Sequence, residues 1–455
     1  MILDTPKKQV TLYKAQGRVW AVMAVILTVA FVLFVNQFYN TDKNSVVDFN
    51  LPSRFNGDFV IEGTTTPSPL KRKGDYVRHI FAIVFDAGST GSRVHVFKFA
   101  MTPGMPIKLV NETFKQVKPG LSSYADDPLQ AALSLHDMLA TCRNLVPLRQ
   151  YSNTPLVLKA TAGLRLLEHG QADNILNEVT ASLKKQPFKL PEEAVGIMDG
   201  VDEGVFSWIT VNFMLGRLGG SAQPLAALDM GGGSTQITFV PSQKMTLDSV
   251  PESYMKNVSL FGKDYHVYTH SYLNLGLMSA RFTLTGGDKH KDEDPSHFEL
   301  TGPCIPEGYS GDYSYGGKVY KLRGANSDEF TYASCASQTA VLVEPVLPVP
   351  ELSGQEIYIF SYFFDRAQDA GLIGTDGGTI RVGDFRTAAV KAFKSGDLKK
   401  PFHALDLTYI YSLLSKGYRI SDDTTVHLKK KIAGVEVSWA LGAAFEVLTE
   451  EGLLR

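Results

Sequence analysis

Cysteine is scarce in this chain of 455 residues: only Cys142, Cys304 and Cys335 occur. An odd count allows at most one disulfide and a leftover thiol, and no pair has the close spacing of a zinc site. A surplus of charge is missing too. The net charge of −2 leaves no broad basic surface, so nucleic acid is not an expected partner. The pattern G-x-x-x-x-G-K-[ST] is absent, as are G-x-S-x-G and H-E-x-x-H, which removes P-loop NTPases and the common serine and zinc hydrolases. Any phosphate chemistry therefore has to come from local turns and a bound metal. What is present is globular: 44% hydrophobic and 20% charged residues, enough for one large or two medium domains.

The longest uncharged run lies near the start. Residues 19–35 (VWAVMAVILTVAFVLFV) follow Lys7, Lys8, Lys14 and Arg18, and the next basic residue is Lys43. Such a run can span a bilayer as a helix, with its basic flank in the cytosol. No small-x-small cleavage site follows it, so it reads as a signal anchor and not as a cleaved leader. The expected topology is a cytoplasmic tail (1–18), a transmembrane anchor (19–35), a polar stalk (36–77, containing GTTTPSPLKRKGD) and a lumenal bulk. A short span suits a thin early secretory membrane. Asn111-Glu-Thr and Asn257-Val-Ser are glycosylation acceptors compatible with that placement, and Cys304 and Cys335 could oxidise there.

From His79 onward, strand and helix patterns alternate. IFAIVFDAGSTGSRVHVFKF reads as strand, turn, strand, and PLVLKATAGLRLL as a strand leading to the helix ADNILNEVTASLKK. DGVDEGVFSWITVNFMLGRL opens acidic and continues with helical spacing. PLAALDMGGGSTQITFV is again strand, turn, strand; EIYIFSYFFDRAQDAG is a strand feeding a helix; VSWALGAAFEVLTEEG is a buried helix. This order argues an α/β fold.

One internal repeat stands out. IVFDAGSTGSRVHVF and AALDMGGGSTQITFV align without a gap, matching Asp86 to Asp229 and Gly88 to Gly231. Two copies far apart in the chain predict two related lobes. Each copy places an Asp at the end of a buried strand before a Gly/Ser/Thr turn. Glycine permits close backbone approach, and successive N–H groups can converge on an anion. Ser89, Thr90, Ser234 and Thr235 add hydroxyls, while a short hard carboxylate suits Mg²⁺ or Ca²⁺. Facing each other, the two loops would grip two phosphates and one metal. A base for the attacking water is also needed. Glu203 in DGVDEG stands at a helix start, where it serves either the helix dipole or the chemistry, and the pattern alone leaves both open.

With these motifs in hand, the chain resembles the GDA1/CD39 nucleotidases. FDAGSTGSR, KATAGLRLL, DGVDEGVFSWITVNF, LDMGGGSTQITF and the stretch through FSYFFDRA look like that family's five conserved regions, in order, across roughly residues 80–450. KPGLSSYADDP, LMSARF, DLTYIYSLL and SWALGAAF look closest to its diphosphate-preferring branch, the fifth and sixth members, and the anchor favours the sixth. The resemblance implies an actin-like fold: two ribonuclease-H-like lobes, 78–198 with 433–455 and 199–432, around a nucleotide cleft. It makes Glu203 the catalytic base, with Ser234 and Gln236 holding the water. It gives Asp86, Asp229 and nearby Thr161 to the metal, Mg²⁺ or Ca²⁺, and Gly88, Ser89, Thr90, Gly231, Gly232 and Gly233 to the phosphates. A disulfide between Cys304 and Cys335 matches the branch; a second one has no cysteines to form it. Leu277 replaces an Arg that larger relatives use for the base, and Tyr362, Phe363 and Phe364 are candidates to stack on it.

The implied activity is removal of the terminal phosphate from nucleoside diphosphates (UDP, GDP or IDP, less well triphosphates) by in-line water attack. The expected setting is a monomer in the Golgi lumen supporting glycosylation, present also at the plasma membrane or released by cleavage. A silent lumenal nucleotide-binding protein is the alternative, opposed by the intact Glu203, Ser234 and Gln236. Another actin-like enzyme, a sugar kinase or exopolyphosphatase, is opposed by the anchor and the DGVDEG context.

Overall fold

The apolar run before the first Gly/Ser turn forms β1 (Arg78–Ala87), buried from Ile80 onward. The turn returns the chain as antiparallel β2 (Ser92–Met101), which places Asp86 opposite Arg93. β3 (Lys108–Val117) completes a meander. After α1 (Pro128–Leu133) and α2 (His136–Leu145), β4 (Leu156–Ala160) runs parallel to β1. The short α3 (Ala162–Arg165) and α4 (Gln171–Leu183) lead to β5 (Val195–Ile197), parallel to β4. The sheet order is β3-β2-β1-β4-β5. Ile175, Val179 and Leu183 recur at helical spacing and bury the inner face of α4 in a core shared with Phe85, Leu156 and Leu158. This computed structural model describes residues 77–167, 170–243, 250–290 and 293–454; the tail, the anchor and all but the last residue of the stalk lie outside the described residues. Among the described residues no helix is long and apolar enough to cross a membrane.

α5 (Gly200–Met214) leads to a second sheet. β6 (Ala226–Met230), β7 (Ser234–Phe239), β8 (Met255–Leu260), β9 (Lys263–Leu273) and α6 (Leu277–Leu284) come first. A small three-stranded sheet is inserted next: β10 (Glu299–Thr301), β11 (Ser310–Tyr315) and β12 (Lys318–Arg323). Then come α7 (Tyr332–Leu342), β13 (Ile357–Ser361), α8 (Tyr362–Asp369), β14 (Gly378–Arg381), α9 (Val382–Ser395), α10 (His403–Ser412) and β15 (Thr425–Leu428). The chain ends with the ribbon β16 (Lys431–Ile432) and β17 (Val435–Glu436) and with α11 (Ala440–Glu450). The large sheet has the order β14-β15-β13-β6-β7-β9-β8. Its inner five strands, β9-β7-β6-β13-β15, repeat the order and directions of the first sheet. The duplication visible in two short turns thus extends to whole sheets, in a two-lobed actin-like α/β architecture.

α5 and α11 cross closely. A Cβ on Gly442 would lie 2.4 Å from the Phe206 carbonyl oxygen, and the Gly442 N–H donates to Thr210 Oγ1 at 3.0 Å. Only glycine permits that approach. Cys304 and Cys335 form a disulfide across 31 positions, joining the Gly- and Tyr-rich insertion to α7. Cys142 is a buried free thiol, pushed up to about 12 by burial and therefore inert near neutral pH. Asn111 and Asn257 are both exposed, and each lies on an edge strand of its sheet.

Candidate active site

The two repeated loops meet. A Cβ on Gly232 would lie 2.1 Å from Ser89 Oγ, so the second loop reaches the first because position 232 has no side chain. α6 then anchors the second loop: the Leu277 N–H donates to the Gly231 carbonyl at 2.9 Å and the Met278 N–H to the Gly232 carbonyl at 2.8 Å. Gly88, Ser89, Thr90, Gly231 and Gly232 line a cleft of about 450 Å³ together with Asp86, Thr161, Glu203 and Asp229. Gly233 does not. It packs against Ala162 and Leu166, where a Cβ would stand 2.7 Å from the Ala162 methyl, so its lack of a side chain serves packing.

Asp86 and Asp229 end their strands at this cleft, both buried. Asp86 Oδ2 accepts from Arg93 Nη1 at 3.0 Å, and Asp229 Oδ2 accepts from Ser207 Oγ at 3.3 Å. The other oxygen of each, Oδ1, is buried without a hydrogen-bond partner. A buried unpaired carboxylate oxygen is costly, so two of them at one cleft fit a cation with its water shell. No group of three or more His, Cys, Asp or Glu placed to hold a metal occurs among the described residues. The protein could therefore supply two carboxylates and neutral oxygens, of which the Thr161 hydroxyl is one; it makes no capping bond to α3. Ser361, at the junction of β13 and α8, stands beside Asp229 on the cleft wall. Its backbone is held at φ 57° and ψ −125°, a sparsely populated region whose strain of about 1–3 kcal/mol is tolerated where surrounding structure imposes it.

The neighbour of Glu203 bears on the role left open for it. Asp199 caps α5, its Oδ1 accepting from the Val201 N–H at 2.8 Å, so Glu203 is not needed as the cap. Glu203 is instead buried against the cleft. Its Oε2 forms an ion pair with Arg165 and accepts from Gln236 Nε2 at 3.2 Å. Gln236 Nε2 also bonds Ser234 Oγ at 2.8 Å and Ser271 Oγ at 2.9 Å. Glu203, Ser234 and Gln236 thus form one hydrogen-bonded cluster beside the two aspartates; Glu203 lines the cleft, and Ser234 and Gln236 lie buried behind it.

The aromatic run is corrected more strongly. Tyr362, Phe363 and Phe364 open helix α8 and are not on the strand that precedes it. Phe363 is 0% exposed in the core of the second lobe and cannot stack on a ligand. Phe364 is buried in the same core, and Tyr362, half-buried, lines the cleft. Leu277 is buried, while Arg281, one turn later, lines the cleft with its Nε and Nη2 on Asp406 at 2.8 and 2.5 Å. Four residues at the centre carried no individual assignment in the sequence reading: Arg93, Arg165, Ser207 and Ser271. Arg93 ends the motif FDAGSTGSR and Arg165 lies within KATAGLRLL, a signal that could have found them; the serines carry none.

These loops, strand ends and buried carboxylates occur in a chain whose residues 75–350 and 356–453 match the GDA1/CD39 (nucleoside phosphatase) family. The chain belongs to that family. It is a hydrolase of the nucleoside phosphatase type. It is 39% identical to a human nucleoside diphosphate phosphatase over 82% of this chain and 89% of that protein. It is 42% identical to mouse ectonucleoside triphosphate diphosphohydrolase 6 over 81% of this chain and 82% of that protein. A crystal structure of nucleoside triphosphate hydrolases from Neospora caninum is similar at a TM-score of 0.58 and 15% identity, covering 83% of this chain and 94% of that one, which supports the fold.

The electrostatics of this nucleoside phosphatase give it a pH signature. Burial pushes Glu203 up from 4.5 to about 8; Arg165 opposes the rise, and the negative Asp229 and Asp86 add to it. Burial likewise pushes Asp229 up to about 6, against hydrogen bonds from Ser361 and Ser207. A carboxyl raised in the folded state favours folding while protonated. Its contribution is fully present below 4.5 and is lost as the pH rises through about 8. In chelator, the melting temperature of the parent should fall more steeply between about pH 5 and about pH 9 than that of Glu203→Gln, since the amide does not titrate. Equal slopes would contradict a raised Glu203.

Proposed function

We propose that this protein hydrolyses the terminal phosphate of nucleoside diphosphates, preferring UDP, GDP or IDP to triphosphates, and yields monophosphate and phosphate. The observation that carries the reading is the Glu203–Gln236–Ser234 cluster set beside two carboxylates with unpartnered buried oxygens. Glu203 takes the proton of a water held by Ser234 and Gln236. Gly88, Ser89, Thr90, Gly231 and Gly232 receive the phosphates through backbone N–H groups and hydroxyls. Asp86 and Asp229, with Thr161 beside them, would hold Mg²⁺ or Ca²⁺ through its waters; such an ion neutralises charge on the phosphoryl oxygens. Of the aromatic run, Tyr362 is the half-buried member on the cleft wall and the one available to a base; Phe363 and Phe364 are core residues.

The names of the diphosphate phosphatase and triphosphate diphosphohydrolase relatives, at about two-fifths identity, support the substrate class. The proposed setting is the Golgi lumen, with a single type II anchor at residues 19–35 and a monomeric catalytic region. The uncharged run with its basic flank and the two exposed sequon asparagines support it. Phosphate release across a panel of di- and triphosphates, with and without chelator, tests the activity. Diphosphate turnover that stops with chelator is expected. Binding without turnover would mark a silent nucleotide-binding protein. The same preparation, made in secretory cells, should lose mass at Asn111 and Asn257 on endoglycosidase treatment, and unmodified asparagines would count against the lumenal setting.

A further inference from the structure

Arg93 lies on the cleft wall without a part in the reading above. It stands on β2 opposite Asp86, the place that Gln236 holds opposite Asp229 in the second lobe. The two equivalent side chains are used differently. Gln236 turns to Glu203, Ser234 and Ser271. Arg93 lies along the first phosphate loop: Nη1 donates to Asp86 Oδ2 at 3.0 Å, and a Cβ on Gly88 would lie 2.9 Å from that same nitrogen. Gly88 is thus needed to admit the guanidinium as well as to shape the turn. A guanidinium has five N–H donors, and among the described residues this one makes a single side-chain bond, to Asp86. Its side chain is 31% exposed, on the same wall as Gly88, Ser89 and Thr90. An ion pair that only stabilised the fold would have no need to face the phosphate loop with donors to spare.

We propose that Arg93 is a catalytic residue whose guanidinium exchanges Asp86 for the nonbridging oxygens of the diphosphate on the Gly88–Thr90 loop. The proposal rests on the diphosphate reading above and adds a residue to it. Two consequences follow from charge. Arg93 competes with a cation for Asp86, so removing it frees that carboxylate for the ion. It also places a fixed positive fork where negative charge gathers in the transition state, a geometry that lysine reproduces as a point charge without the bidentate fit.

The test compares the parent with Arg93→Gln, which copies the second-lobe residue, and Arg93→Lys. Three quantities are read: turnover of a nucleoside diphosphate, calorimetric affinity for Mg²⁺ alone, and the melting-temperature shift produced by a methylene-bridged nucleoside diphosphate with Mg²⁺. For Arg93→Gln, turnover should fall about 10²–10³-fold. Mg²⁺ alone should bind more tightly, the analogue should raise the melting temperature less, and guanidinium ion in solution should restore part of the rate. Arg93→Lys should lie between. Turnover near the parent value with an unchanged analogue shift would overturn the proposal. So would lost turnover accompanied by a lower ligand-free melting temperature, unchanged Mg²⁺ affinity and no rescue, which would mark a structural ion pair. If the parent releases phosphate from no nucleotide, the diphosphate reading fails by itself, and Arg93 is still judged by Mg²⁺ affinity and the analogue shift.

Discussion

Glu203→Gln should keep nucleotide binding and lose about 10²–10⁴-fold in turnover, the usual cost of removing a general base. The substitution preserves shape in a crowded place. Glu203 Oε2 is shared by Arg165 and Gln236, and α5 is so close to the second sheet that a Cβ on Gly204 would lie 2.8 Å from Thr238 Oγ1. An isosteric amide leaves that packing intact and removes the proton acceptor. The value near 8 fits the same role, because a base works best when it titrates close to the working pH. A cation beside Asp86 and Asp229 would offset their repulsion and lower Glu203 toward neutrality, so the rate should rise with pH along a limb lying below about 8 when metal is present. Turnover by Glu203→Gln near the parent rate, in a protein that still binds diphosphate, would remove Glu203 from the mechanism.

Asp86→Ala and Asp229→Ala should each abolish metal-dependent hydrolysis while the fold survives. The carboxylates end their strands at the cleft, and each leaves one oxygen unpaired, so neither is a keystone of the core. Losing Asp86 frees an Arg93 that can turn to solvent; losing Asp229 leaves the Ser207 hydroxyl without that acceptor. Both variants should show a smaller rise in melting temperature with Mg²⁺ plus diphosphate, because ligand stabilisation follows affinity. Asp229→Ala should in addition lower the value of Glu203, since a negative neighbour is gone. Two merely structural turns would give the opposite pattern: lower melting temperatures with an unchanged metal response. Full activity in either variant would overturn a site built from both lobes.

The sequence by itself determined the parts of this protein that are local. Each Asp–Gly turn is written in consecutive residues, so the paired loops, their Asp and hydroxyl groups, and the duplication of lobes were legible from a gapless alignment of two short stretches. The scarcity of cysteine limited the chain to one disulfide, and the resemblance named its partners. Tertiary structure decided what joins distant residues. That Asp199 caps α5 and leaves Glu203 to Arg165 and Gln236 depends on how α5 packs against the second sheet, which no spacing along the chain encodes. The sequence treated Tyr362, Phe363 and Phe364 alike. The start of α8 separates them, because consecutive residues on a helix point about 100° apart, so Phe363 and Phe364 enter the core while Tyr362 stays half-buried at the cleft. Gly232 and Gly233 are chemically identical neighbours, yet only Gly232 faces Ser89, while Gly233 meets Ala162. Loop chemistry follows from residue type; which surface each residue faces is set only when the two lobes close on one another.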